Sequence, residues 1–147
     1  MDPRSLVTRD LAESGKKLLA RLTGTEVAPV AAMWTQRTER DEQPHLFIVS
    51  PLIESQGPIK AYTITNEAQR VLNAELNDPF TELDDFAVKL LGPSDPLAKG
   101  LLDWYQRYPD DRPTLHRGSV FGFVPIEGAY IYPAKMFAAP VEQTQPT

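Results

Sequence analysis

The chain contains no cysteine. That excludes disulfides, thiolate nucleophiles and cysteine-ligated zinc or iron–sulfur sites. A secreted domain can live without disulfides, so the absence weighs only mildly towards a reducing compartment. Long apolar runs are also missing. Met1 to Leu22 alternates charge with leucine, unlike a signal peptide or a membrane span. No other stretch approaches the ~18 apolar residues that a spanning helix needs. The expected setting is therefore the cytoplasm, with no membrane partner.

Histidine is scarce, with only His45 and His116. Two histidines so far apart do not by themselves make a metal site, so no metal is expected. A Ser119–His116–Asp arrangement can be drawn on paper. However, the strained G-x-S-x-G turn that usually presents a serine nucleophile is absent. Gly118, Gly122 and Gly128 lack the Lys-Ser/Thr that completes a phosphate loop. No cofactor is called for.

The 147 residues fit one domain. With 41% hydrophobic and 24% charged residues, the chain can bury a core and is not disordered throughout. Net charge is −5 and unevenly spread. Residues 1–40 hold 7 Lys and Arg against 5 Asp and Glu, whereas the remainder holds 8 against 15. So acidic a body repels phosphate backbones, which disfavours nucleic acid as a partner. Arg4, Arg9, Lys16, Lys17 and Arg21 read as the solvated face of one helix rather than a phosphate-binding patch.

That helix is expected over Ser5 to Leu22, where Leu6, Leu11, Leu18, Leu19 and Leu22 recur at roughly helical spacing. Gly24 suits its C-terminal end, whereas Gly15 inside it costs about 1 kcal/mol against alanine. Val30 to Arg37 and His45 to Ser50 read as strands joined by the polar loop Thr38 to Gln43 and closed by Pro44. The second is nearly all apolar, as in a central strand. Gly57 to Leu76 reads as a helix opened by Pro58 and carrying Ile59, Tyr62, Ala68, Val71, Leu72 and Leu76, although Thr63-Ile64-Thr65 is β-branched. Phe86 to Leu91 reads as a third strand. Asp95 as cap and Pro96 at the first helical position start another helix, lined by Leu97, Leu101, Leu102 and Tyr105. Tyr108 to Pro113 reads as a loop.

Thr114 to Val124 and Ala129 to Tyr132 read as a last hairpin, turning near Ile126-Glu127-Gly128. The element order is α-β-β-α-β-α-β-β. It predicts an α+β domain over residues 1–137: a single mixed, mainly antiparallel sheet of about five strands packed with three helices. Residues 138–147 are Ala, Pro, Gln and Thr-rich without periodicity and read as a disordered tail.

Two acidic groups, Glu82 with Asp84-Asp85 and Asp110-Asp111, read as solvated segments; neighbouring strand residues point to opposite faces and do not converge. Ser94 and Asp95 open a helix after a strand, where anions often bind, but Asp95 is itself an anion. The aromatic residues stand out most. Alternation puts Tyr130 and Tyr132 on one face of the hairpin and Ile131 on the other, and groups Phe121 and Phe123 with Ser119. Trp104, Tyr105 and Tyr108 crowd the last helix and its exit. Tyrosine, tryptophan and arginine are the residues interfaces favour. The candidate binding residues are therefore His116, Arg117, Tyr130, Tyr132 and Trp104. The functional expectation is a small interaction or regulatory module, non-enzymatic, whose partner is another protein or a second copy through a sheet edge or the aromatic face. The alternative is a small enzyme or ligand sensor with a pocket near His116, Arg117 and Tyr130.

Overall fold

The computed structural model describes residues 9–36, 44–76, 88–107, 114–121, 124–133 and 136–137; the side chains of 9–11, 36, 76 and 114–128 lie outside that description. Four helices and five strands follow one another as α1 (Arg9–Thr23), β1 (Ala31–Gln36), β2 (His45–Val49), α2 (Leu52–Gln56), α3 (Pro58–Leu76), β3 (Val88–Leu91), α4 (Pro96–Arg107), β4 (Thr114–Phe121) and β5 (Val124–Ile131). The strands form one sheet in the order β3-β2-β1-β5-β4. Three of its four pairings are antiparallel and only β2–β3 is parallel, bridged by the long crossover through α2 and α3. This is the expected mixed, mainly antiparallel α+β sheet.

The one addition is α2, a single turn between β2 and α3. Ser50 is wholly buried and starts it. Its hydroxyl donates to Val27 O (2.5 Å) and accepts from Leu52 N–H (3.2 Å). Gly57 separates α2 from α3 at φ +94°, a left-handed conformation that glycine adopts without a Cβ penalty. The β-branched run that argued against helix in α3 is accommodated there. The Thr63 hydroxyl donates to Ile59 O one turn back (2.7 Å), and Thr65 is fully buried.

β1 lies at the centre, and both of its faces are covered. Ala32 and Trp34 on one side, and Ala31, Met33 and Thr35 on the other, are at most 1% exposed. α1 lies on the Trp34 side and packs along α3, burying Leu18, Leu19 and Leu22. Its charges face outward as expected: Lys16, Lys17 and Arg21 are exposed, and Arg21 pairs with Glu75 of α3. α4 buries Leu97, Ala98, Leu101 and Tyr105 and contacts β1 and β4.

The terminal hairpin requires a correction. β4 and β5 pair from Thr114↔Ile131 to Phe121↔Val124, so Ile126, Glu127 and Gly128 lie inside β5 rather than at a turn. Pro-Ile-Glu-Gly looks like a turn because it carries a proline and a glycine. Yet β4 and β5 stay paired across it, with Pro125 opposite Val120 and Gly128 opposite Arg117. Ile59 is a smaller correction: helical spacing puts it on the apolar stripe of α3, but it is 83% exposed. The actual stripe is Ala61, Thr65, Gln69 and Leu72, half of it polar. Residues 5–8, Asp84, Asp85, Asp110, Asp111, Phe123 and the tail 138–147 lie outside the described residues.

Candidate functional site

The aromatic residues of β5 and α4 are drawn largely into the core. Tyr132 follows β5 and is 2% exposed. Its hydroxyl accepts from Trp34 Nε1 (2.9 Å) and donates to Ala12 O of α1 (2.7 Å). A buried phenol of this kind needs both bonds, because an unpaired polar atom in the interior is costly. Tyr105 does the same from α4: its hydroxyl donates to Tyr132 O (2.5 Å), and its ring stacks on Phe137. Burial pushes both phenols well above the ordinary tyrosine range. Tyr130 lies half-buried beside Tyr132 in an edge-on contact, ring centroids 5.4 Å apart. Burial and the nearby Glu13 carboxylate raise its phenol as well. Tyr130 and Tyr132 therefore share a face, as alternation required. Trp104 packs half-buried against the core.

His116 and Arg117 lie on β4, opposite Ala129 and Gly128. The register continues as His116↔Ala129↔Thr35↔His45, so the two histidine positions occupy one row across four strands. Three strand spacings separate them, about 14 Å, too far for a shared metal ion. Arg117 belongs to the next row with Gly128 and Gln36, and Tyr130 to the row of Leu115 and Trp34. Alternation puts position 116 on one face of the sheet and positions 117 and 130 on the other. Among the described residues, no group of three or more His, Asp or Glu comes together in a way that could hold a metal ion. No helix there is long and apolar enough to cross a membrane.

The start of α4 is filled from within. Asp95 Oδ1 accepts Leu97 N–H (2.9 Å), the expected cap. In addition, Glu54 of α2 reaches across and accepts both the backbone N–H (2.8 Å) and the hydroxyl of Ser94. These bonds hold its carboxyl below the usual glutamate range. A Cβ at Gly92 would meet the Glu54 carboxylate at 2.5 Å, so glycine is what admits it. The amides of Ser94 and Leu97 are thus occupied by the chain's own carboxylates. Sequence reading missed Glu54; no local pattern links it to a turn forty residues on.

The two sheet edges differ more than any other pair of features. Among the described residues, β3 runs Val88–Leu91 and carries Lys89. The N–H of Leu90 points away from the sheet and donates to the Tyr62 hydroxyl of α3 (2.8 Å). A lysine and a covering group are ordinary means of closing an edge. β4 has eight residues, with neither lysine nor proline among them, and among the described residues no strand pairs with its outer side.

Comparison with known proteins returns no match: no family model, no curated protein and no solved structure.

Proposed function

We propose that the protein is an interaction module that works by adding a partner strand along β4, in the simplest form the β4 of a second copy. The contrast between the edges carries this reading: among the described residues one carries Lys89 and is capped by Tyr62, whereas the other presents an eight-residue row of main-chain groups. Such a row is a template for strand addition, with main-chain bonds supplying affinity. An antiparallel pairing of two β4 strands about a twofold axis is self-complementary and extends the sheet across both copies. Among the described residues the reactive side chains are scattered, which supports a binding role over catalysis. A cytoplasmic setting fits a chain without cysteine.

Light scattering on the eluting protein tests this, with Ser119→Pro and Val120→Pro as a matched pair. Neighbouring N–H groups on a strand point to opposite sides, so one proline blocks the outer edge and the other breaks the β5 ladder. The wild type is expected to elute as a dimer. The outward proline is expected to yield a folded monomer, and the inward one to lower thermal stability. A wild type that stays monomeric at every concentration, and recovers no partner that the outward proline releases, overturns the reading.

A further inference from the structure

We draw no further inference here: the strongest candidate, the polar groove on the outer face of α3 lined by Thr63, Asn66, Glu67, Arg70 and Asn73, is walled among the described residues by that one exposed helix face, and nothing in the structure shows what covers it.

Discussion

The Tyr132 hydroxyl stands almost where the Cβ of any residue but glycine would sit at position 15 of α1. A Cβ there would also approach Trp34 Nε1 to 2.9 Å. Gly15, which weakens the helix locally, is thus the notch that seats α1 on the sheet. Gly15→Ala should gain about 1 kcal/mol of helix propensity. It should lose more than that to overpacking, for a net destabilisation of about 1–2 kcal/mol. Tyr132→Phe should cost about 1–3 kcal/mol, by leaving the buried Trp34 Nε1 without this acceptor and removing the bond to Ala12 O. The double variant should be less destabilised than the sum, because the ring without its oxygen leaves part of the space. Urea unfolding of the four proteins measures this, and strict additivity would mean the two residues do not meet.

Alkali should act through the same cluster. Tyr105 and Tyr132 have phenols raised in the folded state, so the folded protein holds protons that the unfolded chain releases. Their stabilisation is complete below the ordinary tyrosine value of 10.0 and is lost as pH rises above it. Phenolate absorbance should therefore show part of the five tyrosines titrating only as near-ultraviolet circular dichroism collapses. Smooth titration of all five with the fold intact would contradict their burial.

Acid should act through Glu54. Its carboxyl is lowered below 4.5, first by the Ser94 hydroxyl and then by the Ser94 N–H. Here the unfolded chain binds the extra proton, so the contribution is present above about 4.5 and lost as pH falls through the folded value. Glu54→Gln should flatten the fall in stability below pH 4.5 relative to wild type. Glu67, lowered by its bond to Arg70, should leave a residual slope that Glu67→Gln reduces. Parallel pH–stability curves for wild type and Glu54→Gln would show that the carboxylate does not hold the Ser94 turn.

Ala28 is the single non-glycine residue at positive φ (+42°) among the described residues. It closes the turn from α1 into β1, with its N–H donating to Thr25 O (3.2 Å). Left-handed backbone costs an L-residue about 1–2 kcal/mol. Ala28→Gly should relieve that, less the entropy glycine adds to the unfolded chain, and leave stability unchanged or raised by up to about 1 kcal/mol. Ala28→Val should destabilise, since a β-branched residue fits that region worst. Thermal melts of the two variants in the opposite order would refute the strain.

Sequence reading went furthest where one local cause decides the outcome. Asp95-Pro96 starts a helix because a side-chain acceptor and a preset φ act within two residues, and α4 begins there. Leucine spacing set α1, and the apolar run His45 to Val49 became an interior strand of the sheet. Reading failed where local cues had a distant answer. Pro125 and Gly128 imitate a turn, and only their pairing with Val120 and Arg117 of β4 shows their place within β5. Thr65 and Gln69 hide the stripe of α3 from any hydrophobic count, while Ile59 mimics it. Among the candidate binding residues, Tyr132 and Trp104 are held by core contacts, whereas positions 116 and 117 were separated by strand alternation, which depends on local geometry alone.

By itself, the order of amino acids determined the class of fold, the number of strands, the outward helix charges and the absence of thiol chemistry, because each rests on composition or short-range periodicity. Tertiary structure alone decided that Tyr62 caps one edge of the sheet, that Glu54 fills the start of α4, and that Gly15 receives Tyr132. Those are meetings between segments tens of residues apart, and they exist only once the strands have taken their order.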